Sequence, residues 1–490
     1  MSTRRLVIAI TFLSLFAMAA RMTMQNDTWY QLASARWMVE HRELLDVDLF
    51  SYTRYGQPWD YVQVNWLGQL VMYGFYVLAG PGGLNLMVAG VVTLAYALLF
   101  PALSGGAFLR AFAIVLSATA AAVFWPARTN IFSFLFFGLY LWILEEWRWG
   151  RRDRLVWLIP AQLVWANTHS VSAAGIALAG VYGLGEFVAW LRRGVPGFGG
   201  AWFREGLRGR VGRMLLIGLA LVIATCLTPL GPRTLLHPFD TVGVQFQLQI
   251  DEWQPVDPRL PVFWPFLTYV GLLLVGVALV RGRVPLVDVL LVGFWGAQAF
   301  LSARAIHFFA ISALPLFTRL YWPLAQSLAT RLNFAPLTAE PESVPPRMAR
   351  LNLVLAGLVA LAALAKLVLV FPAGANFAAL RSTSPYEAVD FMRANPPTPQ
   401  LFNSYNFGGY LVWAYPEMPV FADSRTDLFG DEILGPMVDI LTVQPGYAAL
   451  LDEWGINSVL VEPTWPLVAA LKAQGWQVLY EDDVSVLLGR

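Results

Sequence analysis

The sequence predicts a polytopic α-helical membrane protein that ends in a small α/β domain. Of its 490 residues, 57% are hydrophobic and only 13% are charged, which is about half of the charged fraction in ordinary soluble proteins. Apolar runs long enough to span a bilayer recur along the first 371 residues, and the composition becomes more polar after about Arg381. These observations exclude an ordinary soluble enzyme and a disordered chain.

Net charge and residue counts exclude further classes of protein and kinds of site. A formal net charge of +1 provides no basic surface, so we expect no nucleic-acid partner. A single cysteine, Cys226, excludes a disulfide framework and a cysteine-based zinc site within the chain. The 4 histidines include no HExxH arrangement, while the 20 tryptophans suit a protein with many bilayer interfaces.

The predicted spans follow the apolar runs. The first lies at 6–20, and a cleaved signal peptide is the alternative reading of that segment. The segment 62–80 is ambiguous, because it is apolar but contains Asn65 and Gln69. Further spans are expected at 84–103, 107–125, 131–147, 155–167, 170–190, 212–229, 262–280, 284–302, 305–322 and 351–371.

The distribution of arginine decides how 62–80 is placed. If this segment lies in the outer interface, every internal arginine cluster falls on the same side as the N-terminus, as the positive-inside rule requires. If it spans, all of these clusters move to the opposite side. The clusters concerned are at 147–154, 192–213, 281–283 and 324–350. The first arrangement gives about eleven spans, a cytoplasmic N-terminus and an extracytoplasmic C-terminal domain.

This topology divides the chain into four parts. The transmembrane core is expected at 1–322, with a large first outer loop at 23–83 that carries interfacial helices. A cytoplasmic linker at 323–350, rich in Pro and Glu, leads to the last transmembrane helix at 351–372. The extracytoplasmic α/β domain occupies 373–490.

Under this topology the polar residues at helix ends all lie on the outer side. Ionisable groups near membrane depth are costly and usually mark functional sites. Taken singly, each has an ordinary alternative: a helix cap for 167–169, a headgroup contact for Arg304 and a solvated loop for Glu252. Together they predict a lined cavity. The residues are Asn26, Asp27, Arg128, Asn130, Asn167, His169, Asp251, Glu252, Trp253, Arg304 and His307.

The first outer loop holds the most informative pattern. Residues 29–40 (WYQLASARWMVE) have helical periodicity and predict an interfacial amphipathic helix directly after Asp27. A turn-rich aromatic run follows at 48–59, before the segment 62–80. An acidic residue outside the first span, an interfacial helix, a Pro-Trp turn and a half-buried helix therefore follow each other in this order.

This order resembles the GT-C superfamily of membrane glycosyltransferases, which includes the protein O-mannosyltransferases and the aminoarabinose transferases. The resemblance covers nearly the whole chain, although no single motif is specific. It rests on Asp27, Trp29, Trp37, 48–53 (DLFSYT), 56–59 (GQPW), Trp66-Leu67, 165–169 (WANTH), 252–255 (EWQP) and 304–309 (RAIHFF). It implies a polyprenyl-phosphate-linked sugar donor and a lipid, glycan or protein acceptor at the outer face of the bacterial plasma membrane.

Three departures from the family pattern keep other functions open. Asn65 stands where relatives often have an acidic residue, Arg128-Thr129-Asn130 replaces an expected Arg-Pro-Gln, and Asp27 lacks a second acidic residue beside it. A non-catalytic binding or assembly protein on the same scaffold is therefore an alternative. A transporter or flippase for lipid-linked sugars is another, which would need charged residues along a path between both faces.

The chemistry of such a transfer assigns roles to the candidate residues. Asp27 is the predicted general base for the acceptor hydroxyl, with Glu252 as the second carboxylate and a helix N-cap as the alternative role of Asp27. Fixed cations stabilise a leaving phosphate; we assign this role to Arg128 and Arg304, with His169 and His307 as secondary donors to the phosphate. The residues expected to line the substrate are Asn130, Asn167, Trp59 and Trp253. No cofactor or metal is predicted, although Asp27 and Glu252 could hold a divalent cation.

Strands and helices alternate in the C-terminal domain. Strands are predicted at 400–403, 420–423, 458–461 and 476–480, with helices at 385–394, 431–442 and 465–474. The Gly-bearing stretch 406–410 and the polar stretch 423–427 are interpreted as strand–helix turns, with acceptor recognition as the alternative. The spacing at Gly408-Gly409 does not match a dinucleotide-binding motif.

Overall fold

The computed structural model of the protein describes residues 1–192, 209–237, 246, 250–280, 282, 284–333 and 343–490. The arginine-rich stretches at 192–213, 281–283 and 324–350 therefore lie partly outside the described residues. Within the described ranges, the chain up to residue 394 forms helices joined by loops and short 3₁₀ turns, and the remainder adds a four-stranded sheet.

Each predicted span coincides with a helix or, for 305–322, with two consecutive helices. The helices are α1 (Thr3–Ala19), α2 (Asn26–His41), α3 (Asp60–Leu99), α4 (Ala107–Ala121), α5 (Asn130–Arg148), α6 (Leu158–Ala166), α7 (Ala173–Arg192), α8 (Arg210–Thr225), α9 (Trp264–Leu279), α10 (Leu286–Leu301), α11 (Ile306–Ser312), α12 (Leu314–Arg331) and α13 (Pro346–Val370). The predicted span 305–322 corresponds to α11 and α12. The helix α1 packs against α3, α4 and α13, and therefore belongs to the packed core.

Five of the described helical segments are long and apolar enough to cross a membrane, or six if α11 and α12, which are bent by 48°, count as one span. The five are Asp60–Ala102, Ala107–Phe124, Ser170–Arg192, Pro261–Leu279 and Pro346–Val370. Two other predicted spans form shorter apolar helices in the described ranges, Leu155–Ala166 and α10. The polytopic helical architecture is thus confirmed, and the total of about eleven spans stays a prediction.

The helix α3 is broken at the point where the segment 62–80 was predicted to end. Ala79 leaves the helical conformation, and Gly80 has a φ of +58°, which only glycine adopts readily. Pro81, which has no backbone N–H to donate, begins the second half of the helix. After the break the chain turns so sharply that a Cβ on Gly83 would lie 2.1 Å from the carbonyl oxygen of Phe75.

The helix α2 differs from the predicted amphipathic helix of the interface. Its residues from Thr28 to Ala35 are buried without interruption, so the helix has no continuous polar face along this stretch. The cause is long-range packing: α3 covers one side of α2, and the helix α16 of the C-terminal domain (Tyr405–Ala414) covers another. A glycine makes this second contact close, because a Cβ on Gly409 would lie 2.4 Å from the carbonyl oxygen of Asn26.

The C-terminal domain is α/β, as predicted, and its sheet has the strand order β1-β2-β4-β3. The strands β1 and β2 pair in parallel, and β4 pairs antiparallel with both β2 and β3. The elements are α14 (Ala373–Arg381), α15 (Tyr386–Ala394), β1 (Leu401–Asn403), α16, α17 (Thr426–Leu441), α18 (Tyr447–Glu453), β2 (Ser458–Val461), α19 (Pro466–Ala473), β3 (Gln477–Glu481) and β4 (Val486–Gly489).

Three predictions for this domain were wrong or incomplete. Residues 420–423 form no strand; Val420 makes a single parallel bridge to Ser51 of the first loop. The stretch 406–410 lies inside α16 and is not a turn. Its two glycines allow this helix to approach the backbone at Ala422 and Asn26 closely. The strand β4 was not predicted.

A buried ion triad joins this domain to the first loop. Arg425 donates to Asp48 Oδ1 at 2.5 Å and to Asp423 Oδ2 at 2.7 Å, and all three side chains are 0% exposed. These two carboxylates raise the pKa of Arg425 against the lowering effect of burial. Removing one partner of such a buried group leaves an uncompensated charge, so the triad fixes the domain in one position on the loop.

Candidate functional site

A cavity of about 860 Å³ lies where the ends of the core helices meet the C-terminal domain. Every residue to which the sequence assigned a catalytic, phosphate-binding or lining role lines it, except Trp59 and Asn167. The residues with such a role that line it are Asp27, Arg128, Asn130, His169, Glu252, Trp253, Arg304 and His307, and Asn26 lines it as well. Residues from separate loops thus form one polar surface. Their chemical roles stay predictions.

Arg128 lies at the centre of this surface and bridges two carboxylates. Its Nη1 atom donates to Asp27 Oδ2 at 2.6 Å, and its Nη2 atom donates to Glu252 Oε2 at 2.8 Å. Nη1 also reaches Glu252 Oε1 at 3.4 Å, so both oxygens of Glu252 face the guanidinium. Asp27, in contrast, bonds to Arg128 through one oxygen only.

The first turn of α2 positions Asp27. The helix begins at Asn26 with Gln25 at the N-cap, and the hydroxyl of Thr28 accepts from the backbone N–H of Gln25 at 2.9 Å. Asp27 is therefore the second helical residue and not the cap, which contradicts the alternative reading. Its carboxylate is directed to Arg128 and has a side-chain exposure of 21%.

Neighbouring charges determine the pKa values of Glu252 and Arg128. Burial would raise the pKa of Glu252, but Arg128 and Arg304 outweigh burial and lower this pKa to about 2. Burial would likewise lower the pKa of Arg128, and the carboxylates Glu252 and Asp27 raise it above its ordinary value. Glu252 and Arg128 are therefore a fixed ion pair at neutral pH.

Arg304 is the second arginine discussed in the cavity, and its surroundings differ from those of Arg128. Its guanidinium stacks over the indole ring of Trp253 at 4.2 Å from the ring centroid, a favourable cation–π contact. The loop beneath it is tied down, since Ala303 donates its backbone N–H to the carbonyl of Gln254 at 3.0 Å. Arg304 forms no ion pair with any residue in the described ranges, so its charge is available to an anion.

The remaining predicted polar residues of the core differ in their hydrogen bonding. His169 Nδ1 lies 2.7 Å from the hydroxyl of Ser133. Within the described part of the chain, His307 Nδ1 and Asn130 Oδ1 are buried without a partner. Buried polar atoms are rarely left unpaired, and these two lie on residues that line the cavity.

Two predicted lining residues lie outside the cavity. Trp59 is 1% exposed because it packs beneath Tyr61, which does line the cavity, with ring centroids 6.2 Å apart. Asn167 ends α6, donating to the carbonyls of Leu163 at 2.9 Å and Leu227 at 3.0 Å. Neither residue is therefore among the side chains that line this cavity.

Sequence reasoning missed the contribution of the C-terminal domain to the cavity wall. The residues concerned are Ser404, Tyr405, Asn406, Ser424, Thr426, Asp427 and Trp465. Asp427 Oδ2 accepts from the indole N–H of Trp59 at 3.1 Å. Burial raises the pKa of Asp427, although His237 and the bond from Trp59 oppose this shift. The stretches 406–410 and 423–427 carried the signal, as the segments for which acceptor recognition was an alternative.

Asp27 and Glu252 are the pair that the sequence suggested as possible metal ligands. Across the described ranges, no group of three or more His, Cys, Asp or Glu residues is placed to hold a metal ion. The carboxylates of Asp27 and Glu252 both bind Arg128 instead. In this arrangement the guanidinium occupies the position between the carboxylates that a cation would need.

Neither a protein-family model nor a curated protein matches the chain, but solved structures match its fold. The Archaeoglobus fulgidus oligosaccharyltransferase AglB, in complex with an inhibitory peptide and a dolichol-phosphate, aligns over 93% of this chain and 69% of its own, with 12% identity and a TM-score of 0.52. The A. fulgidus oligosaccharyltransferase tethered to an acceptor peptide aligns over 94% and 69%, with 13% identity and a TM-score of 0.56.

ArnT from Cupriavidus metallidurans bound to undecaprenyl phosphate covers 99% of this chain and 97% of its own, at 17% identity and a TM-score of 0.49. Identities this low establish likeness of fold and leave activity open. The chain therefore shares its fold with these A. fulgidus oligosaccharyltransferase structures.

Proposed function

We propose that the protein is a membrane glycosyltransferase that moves a sugar from a polyprenyl-phosphate donor to an envelope acceptor at the outer face of the bacterial plasma membrane. The observation that carries this proposal is the cavity at the helix ends, where Arg128 bridges Asp27 and Glu252 beside Arg304, a cation with no ion pair among the described residues. The fold likeness supports it, because the A. fulgidus AglB structure contains a dolichol-phosphate.

The donor phosphate binds to Arg304, with His307 and His169 beside it. A sugar–phosphate bond breaks more easily when fixed positive charge faces the oxygen on which negative charge develops. Asp27 and Glu252 bond directly to Arg128, whereas Arg304 forms no ion pair among the described residues. The guanidinium of Arg304 is therefore the group that meets the phosphate of the lipid.

Asp27 acts as the general base. The acceptor hydroxyl loses its proton as its oxygen attacks the anomeric carbon, and a carboxylate within hydrogen-bond reach takes this proton. Glu252 is the weaker candidate, because both of its oxygens face Arg128 and its pKa of about 2 makes it a poor proton acceptor. Asp27 engages Arg128 through Oδ2, which leaves Oδ1 for the acceptor.

The cavity floor favours transfer over transport. Trp295 and Phe308 line the cavity and pack on the buried ring of Phe137, with ring centroids 5.2 and 4.9 Å away. A second ionic cluster of Glu145, Arg148, Asp288 and Arg319 lies near the far end of α5. Aromatic side chains separate the two clusters, whereas a flippase needs a polar path between them.

The test of this function uses Asp27→Asn in the purified full-length protein and in a deletion strain. Asn retains a hydrogen bond to Arg128 but cannot take a proton, so we expect transfer to fall about 10²- to 10⁴-fold with little change in melting temperature. Mass spectrometry of envelope glycans identifies the product that the deletion strain lacks and measures its return with each variant.

Asp46→Asn is the matched control, because Asp46 is an exposed carboxylate of the same loop and its variant should restore wild-type glycans. If a stable Asp27→Asn protein restores the wild-type glycans fully, Asp27 is not the general base. Glu252 would then be the next residue to test. Envelope glycans that do not differ between the deletion and parent strains would contradict the transferase function.

A further inference from the structure

Two serine hydroxyls on the C-terminal wall of the cavity have no hydrogen-bond partner in the described part of the chain: Ser404 Oγ and Ser424 Oγ. Ser404 is 1% exposed, and both residues line the cavity. A buried polar atom without a partner costs about 1–3 kcal/mol. Two such atoms facing one cavity indicate that a ligand completes their hydrogen bonding.

The side chain of Ser404 does not cap the helix that follows it. It occupies the N-cap position of α16, where a serine side chain ordinarily accepts from the backbone N–H groups of the first turn. Here the side chain makes no such capping bond. Its hydroxyl is therefore available to the cavity, where it can both donate and accept a hydrogen bond.

Asp427 adds a carboxylate to the same wall. Trp59 holds its Oδ2 atom at 3.1 Å, and the buried triad through Arg425 fixes the backbone just before it. Close by, Trp465 donates its indole N–H to Glu462 at 2.7 Å and presents an aromatic ring to the cavity. Hydroxyls, a carboxylate and an aromatic ring in one concave site match the needs of a hydroxyl-rich ring ligand.

The direction of the donor lipid determines which ligand reaches this wall. In the proposed transferase, the isoprenoid tail would lie among the apolar helices and the phosphate at the helix ends with Arg304. The group on the other side of the phosphate would then extend away from the helices, towards the C-terminal domain. In a lipid-linked sugar donor, that group is the sugar.

We propose that Ser404, Ser424 and Asp427 form a subsite that binds the hydroxyl groups of the sugar carried by the lipid phosphate. This subsite rests on the proposed transferase function and adds that two parts of the protein bind two parts of the donor. The helical core binds the phosphate, and the C-terminal domain recognises the sugar. A site built to hydrogen-bond hydroxyls discriminates strongly against ligands that lack them.

The experiment compares two probes on the full-length protein in lipid nanodiscs by native mass spectrometry. One probe is undecaprenyl phosphate; the other is undecaprenyl phosphate carrying mannose, glucose or arabinose, taken as a panel. We expect the wild type to bind at least one sugar-bearing lipid more tightly than the bare lipid. Ser404→Ala and Ser424→Ala should each lower that affinity about 3- to 10-fold, and Asp427→Asn about 10- to 100-fold.

In all three variants the affinity for bare undecaprenyl phosphate should stay unchanged, because the subsite does not touch the phosphate. Ser382→Ala and Asp439→Asn, two exposed positions of the same domain, are the matched controls and should bind both probes like the wild type. A purely structural role would change the affinity for both probes together.

Three results would overturn the subsite: equal losses for both probes in the variants, no loss for either, or a wild type that does not distinguish the sugar-bearing lipids from the bare lipid. Loss of transfer without any change in donor binding would assign these residues to the acceptor instead. A wild type that binds no polyprenyl lipid at all is a separate outcome, since it contradicts the proposed function itself.

Discussion

Arg128 and Arg304 carry the same charge in the same cavity but stand in different electrostatic surroundings. Two carboxylates within 2.8 Å compensate Arg128, while Arg304 stacks on Trp253 without an ion pair among the described residues. An incoming phosphate meets less competition at Arg304, because both Nη groups of Arg128 already donate to Asp27 and Glu252. We therefore assign the main phosphate contact to Arg304 and the organisation of the carboxylates to Arg128.

This difference predicts unequal effects of two alanine substitutions. Arg304→Ala should lower the affinity for undecaprenyl phosphate about 10- to 100-fold, the value of a charge-assisted hydrogen bond, and leave the melting temperature nearly unchanged. Lysine at this position should restore only part of the affinity, because it lacks the forked donors. Arg128→Ala should lower the melting temperature as well, since it leaves two carboxylates uncompensated.

Binding of undecaprenyl phosphate in nanodiscs measures the affinities, and differential scanning fluorimetry measures the melting temperatures. Arg259→Ala is the control, because Arg259 is an exposed cation that follows the loop of Glu252 and Trp253. Wild-type affinity in Arg304→Ala would remove this residue from the donor site.

The lowered pKa of Glu252 predicts how stability depends on pH. A carboxylate whose folded pKa is depressed, here to about 2, stabilises the protein above its unfolded pKa and loses this contribution as the pH falls through the folded value. The melting temperature of the wild type should therefore decline between about pH 4.5 and pH 2. Glu252→Gln should show a smaller decline over this range, measured by scanning fluorimetry in a detergent that tolerates acid. Equal slopes for the two proteins would contradict the ion pair.

At the scale of elements, the attachment of the C-terminal domain depends on one buried arginine. Arg425→Met should destabilise the protein by about 3–5 kcal/mol, because it leaves Asp48 and Asp423 buried without a counter-charge. A lower melting temperature and faster proteolysis of the domain measure this loss. The triple variant with Asp48→Asn and Asp423→Asn should recover much of it, since no buried charge then remains.

Arg381→Met is the matched control for this substitution. Arg381 pairs with Glu387 at 3.1 Å, but both side chains are about half exposed, and such surface pairs contribute about 0–1 kcal/mol. If Arg425→Met were no more damaging than Arg381→Met, the triad would not hold the domain in place.

Elements with strong local patterns were predictable. The apolar runs located the core helices, and the run 62–80 ends where α3 breaks. The amphipathic reading of α2 failed because a helix from the far end of the chain covers it. The helix α16 was missed for a related reason, since Gly408 and Gly409 are poor helix formers whose value lies in close packing against Ala422 and Asn26.

Part of the candidate site was predictable by the same logic. Topology alone brought Asp27, Arg128, Glu252 and Arg304 to one face, and they do line one cavity. Which of them pair was not predictable, because partners 101 and 124 residues apart meet only in the folded protein. Ser404 had no signal at all, as nothing in the sequence separates a hydroxyl that caps a helix from one that does not.

For the whole molecule, the main open prediction is sidedness. The amino group of Met1 donates to the carbonyl of Ala349 at 3.1 Å, so α1 and α13 begin at the same end of the core. The positive-inside rule assigns this end to the cytoplasm and the C-terminal domain to the outside. The single cysteine of the chain makes this assignment testable.

In a Cys226→Ser background, Glu417→Cys and Arg152→Cys place one thiol each on exposed positions of the C-terminal domain and of an arginine-rich loop. A membrane-impermeant maleimide added to intact spheroplasts should label Glu417→Cys and should label Arg152→Cys only after lysis. The reversed pattern would place the C-terminal domain in the cytoplasm and overturn both the interfacial placement of 62–80 and transfer at the outer face.

The long separation of Asp48 from Arg425 also sets the order in which the protein matures. The two residues are 377 positions apart, and a ribosome that adds about 5–20 residues per second needs roughly 20 to 75 seconds to cover that distance. During this interval the first loop has already been made, while the arginine that neutralises Asp48 does not yet exist. The site is therefore completed last, and a chain that terminates early can insert its helices but cannot close the cavity that they serve.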